Sequence, residues 1–393
     1  MTYGLAVVGA GASGLAAAIA GGRAQGSGGR VLLLERLSRA GKKILATGNG
    51  RCNLGNRHAD THAYHNKGFA APALERFNAE ARKAFFDSLG LAVYEDAEGR
   101  LYPRSSMAAS VLDALRYGAL RVGAELRCDC PVTNISSTRD GFLLNGEIQA
   151  RRVIIAAGGC AAPAQGSDGS GFALLRGLGH SIVDPRPALV PITVQSPVLP
   201  MLKGLRVRGG IAIEQEGRAL RQAQGEILFA QDGLSGIAAM EVSREARAGA
   251  LAVLDLLPEY SHEEVCAKLQ AWQSACPEAT PAQLLAGLLP KRVGEAVLTA
   301  CADVSIEHIT KTCKRFAFAV TGTRGFAHAQ ITAGGADVRT FDPCTLESRL
   351  VPGLYACGEA LDVDGGCGGF NLHWAWASGA LAGGAALAKR GGT

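Results

Sequence analysis

The sequence has 393 residues, of which 48% are hydrophobic and 19% charged, and its formal net charge is +5. This length is typical of two domains, and so mild a charge with scattered basic residues argues against a nucleic-acid surface. No stretch reaches the ~18 apolar residues of a membrane span, and no basic, cleavable leader precedes the first strand pattern. The eleven cysteines include no Cys-x-x-Cys pair, which predicts reduced thiols and a cytoplasmic location.

The first 36 residues predict a strand, a glycine-rich turn, a helix and a second strand. The turn has the Gly-x-Gly-x-x-Gly spacing, and Glu35 follows the second strand about 20 residues later. Such glycines let a pyrophosphate approach the helix N-terminus, and such an acid binds ribose hydroxyls. The pattern therefore predicts a dinucleotide site, without separating NAD from FAD. The expected contacts are Gly9, Gly11, Ala12, Ser13, Gly14, Glu35 and Arg36.

The segment at residues 41–53 favours FAD. Glycines flanked by Arg and Asn directly after the ribose acid suit a loop around the pyrophosphate and ribityl chain of a long cofactor, although a plain surface loop is the alternative. The expected contacts are Lys43, Gly50, Arg51, Cys52 and Asn53. Cys52 beside Arg51 could be a redox thiol, but no resolving cysteine is near in sequence, which favours a packing or backbone role.

Residues 68–90 and 110–120 have helical patterns, and residues 151–156 form a buried-strand pattern that ends at Ala157, Gly158 and Gly159. This last element resembles the strand and Ala-Thr-Gly turn of glutathione-reductase-like FAD proteins, with Ala157 in place of Thr. In such proteins an apolar residue before the strand lies near the adenine; Val132 is the candidate, and a core role is the alternative. Cys128 and Cys130 alone do not make a metal site, and none is predicted.

The chain changes character near residue 185. Short strand patterns occupy residues 190–194, 210–214 and 227–230, and helical patterns begin near residues 261, 280 and 303 or 305. Ser261 and Glu264 form a capping-box pattern. The α/β pattern returns after residue 326. We therefore expect an FAD domain at residues 1–186 and 328–393, interrupted by an insertion at residues 187–327.

The C-terminal block contains another strand ending in Gly and an acid, then a glycine-rich turn that opens the last helix. The expected cofactor contacts are Gly358, Glu359, Asp362, Gly368, Gly369, Phe370 and Asn371. The dipole of this helix would favour the anionic reduced flavin. His373, just inside the helix, is a candidate proton donor, with a supporting hydrogen-bonding role as the alternative.

These motifs together resemble the aminoacetone-oxidase/BaiN-like family of FAD-dependent oxidoreductases. The resemblance is carried by residues 9–14, 48–53, 229–236, 332–335, 345–348 and 353–371. It implies a Rossmann-like α/β FAD domain of the two-dinucleotide-binding type, interrupted by a β-barrel-like and helical insertion that covers the flavin. Where the family usually has Gln, this chain has His373, and this difference leaves the identity of the substrate open. Tyr102 and Arg104 are candidates for the substrate side.

The resemblance implies either reduction of an activated C=C, as in a 3-oxo steroid or bile-acid-like enone, or oxidation of a small amine such as aminoacetone. The apolar residues Leu199, Met201, Leu202 and Leu205 favour the enone. A tRNA-modifying flavoprotein and a flavin-binding protein without turnover are the rival hypotheses. No second fingerprint follows another strand, so NADH or NADPH is expected to dock transiently as electron donor. A small-molecule substrate is expected, with no nucleic-acid partner; the oligomeric state is left open.

Overall fold

A computed structural model describes residues 2–24 and 29–388. Its strands are β1 Thr2–Tyr3, β2 Leu5–Val8, β3 Val31–Leu34, β4 Gly55–Asn56, β5 Val93–Glu95, β6 Arg100–Pro103, β7 Glu125–Arg127, β8 Ile135–Thr138, β9 Gly141–Leu144, β10 Ile148–Ala150, β11 Val153–Ile155, β12 Ile182–Ala188, β13 Ile192–Gln195, β14 Arg206–Gln215, β15 Arg218–Phe229, β16 Gly233–Ser235, β17 Leu251–Asp255, β18 Phe316–Thr323, β19 Ile331–Ala336 and β20 Leu354–Ala356. Its α-helices are α1 Ala12–Ala24, α2 Lys42–Ala46, α3 Lys67–Arg76, α4 Ala79–Ser88, α5 Ala108–Arg121, α6 Ser170–Gly177, α7 Leu199–Leu202, α8 Ile237–Val242, α9 His262–Ala275, α10 Pro281–Leu285, α11 Lys291–Ala300, α12 Ile306–Lys314 and α13 Phe370–Leu387.

A five-stranded parallel sheet, in the order β20-β11-β2-β3-β7, forms the centre of the first unit. Its four strands other than β7 are apolar and fully buried, as expected for parallel strands covered on both faces. Because all five strands run in the same direction, the turns that follow β2, β3, β11 and β20 lie at one edge. This edge is where ligands bind in open α/β sheets.

Two smaller sheets and one strand pair complete this unit. The sheets have the orders β1-β10-β9-β8 and β4-β6-β5, and β12 pairs with β19. The unit comprises residues 1–186 and 330–393 by its internal contacts. Its core packs α1 and α13 beside the parallel sheet, with Leu5, Leu15, Ile19, Trp374 and Trp376 among the buried side chains.

The second unit, residues 187–329, is a closed six-stranded barrel with helices. The strand order is β13-β16-β15-β14-β17-β18, and each neighbouring pair is antiparallel. Closure leaves no free sheet edge. A separate hydrophobic core includes Ile211, Phe229, Phe316 and Phe318. The predicted insertion lies within this unit, and the predicted fold class, a Rossmann-type α/β domain with a barrel-like insertion, is confirmed.

Local predictions succeeded where a cap marks a helix start. The Ser261 hydroxyl accepts a hydrogen bond from the backbone N–H of Glu264, and the Glu264 carboxylate accepts one from the backbone N–H of Ser261, as the capping-box pattern predicted. Ser305, not Asp303, caps α12. The single helix expected at residues 68–90 is instead α3 and α4, because Asn78 caps a new helix through the N–H of Ala81.

The lengths of the two long barrel strands were underestimated, since only residues 210–214 and 227–230 were predicted in place of β14 and β15.

Of the helices in the described part of the chain, none has the length and apolar character needed to cross a bilayer.

Candidate functional site

The glycine-rich turn after β2 contains glycines of two kinds. Gly9 has a φ of 103°, and a Cβ there would lie 2.5 Å from the carbonyl oxygen of Ala156. A Cβ on Gly14 would lie 1.8 Å from the carbonyl oxygen of Gly9. These two glycines therefore serve close packing between β2, α1 and the turn after β11. Gly11 differs, because a Cβ there meets no protein atom within 4 Å. Its open side, at the N-terminus of α1, is the space that a pyrophosphate would take.

Glu35 ties the end of β3 to this turn. One carboxylate oxygen accepts a hydrogen bond from the N–H of Ala10 at 3.0 Å, and the other accepts from the N–H of Leu37 at 2.9 Å. Each carboxylate oxygen keeps a lone pair for another donor, such as a ribose hydroxyl. The segment after β7 lies alongside, since the N–H of Cys130 donates to the carbonyl of Glu35. Two residues on, Val132 is buried in the core, which fits both of its proposed roles.

Arg36 follows the ribose acid and forms an ion pair with Asp168. Asp168 also accepts from the N–H of Ser170, at the start of α6. The pair therefore connects the turn after β3 with the turn after β11. Both side chains are more than a third exposed, so the pair contributes little stability by itself.

The loop at residues 47–53 has an unusual backbone. Gly48, Asn49, Gly50 and Cys52 all adopt left-handed φ values, between 54° and 81°. For Asn49 and Cys52 this conformation costs free energy, and such strain concentrates where a ligand is held. A Cβ on Gly50 would meet no protein atom within 4 Å, as at Gly11. The guanidinium of Arg51 stacks over the Tyr102 ring, 4.6 Å from its centroid.

A polar cluster joins three of the sequence-predicted residues to one that was not predicted. Lys43 Nζ lies 3.0 Å from Glu359 Oε2, and Glu359 Oε1 accepts from the N–H of Thr332 at 3.0 Å. A Cβ on Gly159 would collide with Thr332 Oγ1 at 2.4 Å. Thr332 Oγ1 also accepts from the backbone N–H groups of residues 160 and 161, at 2.8 and 3.0 Å. Thr332 therefore connects β19 with the turn after β11.

Gly358 holds the end of β20 against α1 and α13. It has a φ of 67°, and a Cβ there would lie 2.5 Å from Ser13 Oγ. Its N–H donates to Ser378 Oγ, and its carbonyl accepts from Trp374 Nε1. In the turn after β11, at the same edge of the parallel sheet, Gly158 has a φ of 75° and faces Ser167. Ala157 packs on Gly171. At these positions the chain segments approach each other closely, so small residues are needed there. Ala157, where related proteins have Thr, meets this need.

The turn that precedes α13 is fixed by side chains from β4 and the segment after it. Tyr64 Oη donates to the carbonyl of Phe370 at 2.9 Å, and Asn56 Nδ2 donates to the carbonyl of Gly368 at 3.0 Å. Asn371 bonds to both the N–H and the carbonyl of Gly365. Gly369, with a φ of 100°, lies so close to Gly55 that a Cβ would be 2.6 Å from its carbonyl oxygen. These contacts with the rest of the protein therefore fix the backbone of the turn.

Two buried acceptors in this region have no donor in the protein. Asn53 Oδ1 and Asp362 Oδ1 are closed off from solvent and make no hydrogen bond among the described residues. An unsatisfied buried acceptor costs roughly 1–3 kcal/mol. FAD carries hydroxyl groups on its ribityl chain and an N–H on its ring. The open sides of Gly11 and Gly50 together with these two acceptors therefore fit FAD.

His373 lies under this turn. Its ring is 2% exposed, and Nδ1 lies 3.3 Å from a guanidinium nitrogen of Arg82. Burial, together with the Arg82 charge, lowers the pKa of His373 to about 3. The imidazole is neutral at physiological pH and cannot give up an imidazolium proton. The geometry therefore favours its supporting role over that of proton donor.

Burial controls the thiols in the same way. Burial raises the pKa of Cys52 to about 11, so this thiol is not a thiolate near neutral pH. The packing or backbone role therefore fits Cys52 better than the redox role. Burial also raises the pKa of Cys128. Over residues 2–24 and 29–388 there is no group of three or more His, Cys, Asp or Glu side chains arranged to hold a metal ion.

Comparison with known proteins gives the family. The model of the family described as "HI0933-like protein Rossmann domain" matches residues 3–385, so the chain belongs to this family. It is 37% identical to a 3-dehydro-bile acid delta(4,6)-reductase of Clostridium scindens, over 98% of this chain and 99% of that protein. It is 31% identical to a ribosomal RNA dihydrouridine synthase of Escherichia coli K12, over 95% of each chain.

Solved structures show the same fold at low identity. A 3-ketosteroid delta1-dehydrogenase from Sterolibacterium denitrificans has a TM-score of 0.52 and 13% identity, over 99% of this chain and all of that chain. A flavocytochrome c3 fumarate reductase has a TM-score of 0.50 and 16% identity, over 98% of this chain and 78% of that chain. Family, relatives and site agree: the protein is an FAD-dependent oxidoreductase, and the predicted family resemblance is confirmed.

Proposed function

We propose that this enzyme reduces a carbon–carbon double bond conjugated to a carbonyl group, with NADH or NADPH as the electron donor. The observation that carries the proposal is the full-length similarity to a bile-acid delta(4,6)-reductase. The second relative, a dihydrouridine synthase, is named for a product in which the C5=C6 bond of uracil, also conjugated to a carbonyl, is saturated. The same type of bond is thus reduced on two different substrates.

Several groups of the protein would bind the cofactor. The N-terminus of α1, beside Gly11, offers free N–H groups and a positive dipole end to a pyrophosphate. Glu35 would accept from the ribose, and Asp362 Oδ1 and Asn53 Oδ1 would gain donors that the protein lacks. The N-terminus of α13 adds a partial positive charge at the turn containing Gly369. When bound, FAD supplies the hydride chemistry.

We favour a 3-oxo steroid or bile-acid-like enone as the substrate, in a cytoplasmic enzyme whose eleven cysteines, all within the described residues, form no disulfide. The similarity to the bile-acid reductase supports this choice. The apolar residues of the insertion do not support it, because Leu199 and Leu202 are buried in the core of the barrel unit. Met201 and Leu205 are partly buried against the same core. That argument from sequence was wrong, since these side chains fill the protein's own interior.

The second candidate substrate is uridine in ribosomal RNA, and the specific observation in its favour is the relative from Escherichia coli. With this substrate, the predicted absence of a nucleic-acid partner would not hold. The exposed Arg206 of the barrel is paired with Glu226, so this arginine offers little net positive charge to an RNA. The two substrates share one reaction and differ in size and in charge.

Anaerobic stopped-flow tests the proposal. Enzyme loaded with FAD is mixed with NADH or NADPH, and the reduced enzyme is then mixed with a 3-oxo-4-ene bile acid, with unmodified ribosomal RNA, or with oxygen. We expect rapid reoxidation by the bile acid and a product heavier by two hydrogens. Reoxidation by RNA alone, with the same mass gain in uridine, would replace the substrate but keep the reaction. Reoxidation by oxygen alone, with aminoacetone reducing the enzyme, would overturn the proposal in favour of an amine oxidase.

A further inference from the structure

Arg82 is a partly buried cation on α4 whose partners are neutral. One of its guanidinium nitrogens lies 3.3 Å from the carbonyl oxygen of Asn56 and 3.3 Å from His373 Nδ1. Across residues 2–24 and 29–388, no carboxylate approaches this guanidinium within 4.0 Å. Burial lowers the pKa of Arg82, and the charge of the more distant Glu95 offsets this only in part, so an arginine in this place calls for a role.

Helix α13, Phe77 and strand β4 hold His373 in place. The backbone N–H of His373 donates a hydrogen bond to the carbonyl oxygen of Gly369 at 3.0 Å, in the first turn of α13. The Phe77 ring meets the imidazole edge-on, with the centroids 5.7 Å apart. Nδ1 faces β4, since a Cβ on Gly55 would lie 3.3 Å from this atom. The ring therefore has one orientation, with Nδ1 toward Arg82 and β4.

The tautomer of His373 follows from this contact. A guanidinium has donors only, so Nδ1 must be the acceptor in the pair with Arg82. In a neutral imidazole the proton then lies on Nε2. Among the described residues, the one hydrogen-bond contact of this side chain is that of Nδ1 with Arg82, and none involves Nε2. Nor is Nε2 among the closed-off polar atoms without a partner, which are limited to Asn53, Arg186, Thr310 and Asp362. The Nε2–H is therefore a donor that is fixed, neutral and unused by the protein.

We propose that Arg82 is a positioning residue that fixes His373 as a neutral Nε2–H donor to the group bound against the turn at residues 368–371. The proposal rests on the proposed function only in taking that group to be FAD. Arg82 acts by choosing which nitrogen carries the proton, and His373 makes the contact. A glutamine can offer an N–H from the same helix position without needing a neighbour to choose its tautomer. Leucine offers none.

The tautomer is measured directly. Protein labelled with ¹⁵N-histidine gives two-bond ¹H–¹⁵N spectra that tell the two neutral forms and the charged form apart, and the signal missing in His373→Gln identifies His373. In the FAD-free protein at pH 7 we expect the neutral Nε2–H form, and in Arg82→Met a mixture of forms. Lys83→Met, one residue along α4 on an exposed side chain, is the matched control and should leave the signal unchanged. A charged ring or an Nδ1–H form in the parent would overturn the proposal.

FAD binding to the apoprotein tests the contact. FAD added to the apoprotein should shift the Nε2–H signal, and His373→Leu should bind FAD about tenfold more weakly, as for one lost hydrogen bond, while His373→Gln stays within about threefold. Arg82→Met should weaken binding in the parent but have no effect in the His373→Gln background. An equal effect of Arg82→Met in both backgrounds would overturn positioning through His373. Parent affinity in His373→Leu would overturn the donor role. Neither result depends on whether the loaded enzyme reduces an enone, which tests the proposed function separately.

Discussion

At the scale of single residues, the glycines of the site are of two kinds. Some, such as Gly14, leave no room for a Cβ beside protein atoms, whereas Gly11 faces space that no protein atom occupies. We expect Gly11→Val to fold normally and to lose FAD, because the new side chain enters space that no protein atom occupies. FAD affinity should fall by more than about tenfold, or about 1.4 kcal/mol. Fluorescence titration of the apoprotein with FAD measures the affinity, and a thermal melt measures the fold.

Two controls give this prediction its meaning. Gly177→Val places a side chain in equally open space at the exposed end of α6 and should bind FAD normally. Gly14→Ala should fail to fold, because its Cβ would lie 1.8 Å from the carbonyl oxygen of Gly9. Full FAD affinity in Gly11→Val would mean that the pyrophosphate lies elsewhere.

The buried thiol of Cys52 gives a second prediction at this scale. With a pKa of about 11, only about one in a thousand Cys52 side chains is a thiolate at pH 8. A thiol reagent at pH 8 should therefore modify the exposed Cys276 and Cys344 rapidly and leave Cys52 intact until the protein unfolds. Peptide mass spectrometry after timed quenching measures each site. Labelling of native Cys52 at the rate of Cys276 would restore the redox hypothesis.

Sequence patterns single out residues whose proposed role depends on local spacing, such as Gly11 and Glu35. They missed Thr332 and Arg82, whose roles depend on contacts across the fold. Cys160 and Thr332 are 172 positions apart, and Arg82 and His373 are 291 apart. They left His373 open between proton donor and supporting group, because the pKa of an imidazole depends on burial and neighbours that are only present after folding.

At the scale of elements, the helices of the second unit that begin with a side-chain cap were predicted, and those without one were missed. Ser261 and Thr280 cap α9 and α10 through complete capping boxes. Helix α11 was missed: its first residue follows Pro290, which offers no side-chain cap, and Gly294 lies inside it. This helix is amphipathic, with Val293 and Val297 buried, so tertiary packing decides its existence more than local signals do.

The contact between α1 and α13 yields the prediction for this scale. A Cβ on Gly383 would lie 2.1 Å from the carbonyl oxygen of Ala17, so Gly383→Ala must separate the two helices and should destabilise the protein by about 1–3 kcal/mol. The neighbouring Gly384 faces no atom within 4 Å, and Gly384→Ala should stabilise the helix by about 0.5–1 kcal/mol. Urea unfolding measures both. Equal effects of the two substitutions would show that the helices do not pack this closely.

At the scale of the whole molecule, the chain leaves the first unit along one strand and returns to it along the strand that pairs with it. Strands β12 and β19 are paired, and the backbones of residues 184 and 334 touch, since a Cβ on Gly334 would lie 2.5 Å from the carbonyl oxygen of Asp184. The N–H of Asp337 also donates to the carbonyl of Ser181. The two ends of the insertion therefore start from neighbouring points, and each unit has its own core.

This arrangement predicts that the insertion can be removed while the cofactor site survives. All the sequence-predicted cofactor contacts, from Gly9 to Asn371, lie in the first unit. A variant with residues 189–329 replaced by a short Gly-Ser linker should therefore fold and bind FAD within about tenfold of the parent affinity, because a short loop costs little closure entropy. It should have no enone reductase activity if the insertion supplies the substrate contacts. The matched control keeps the insertion but carries Gly11→Val, and should show the reverse defect, a folded insertion without bound FAD. A folded deletion variant that binds no FAD would place part of the cofactor site in the insertion, and one that still reduces the enone would place the substrate site wholly in the first unit.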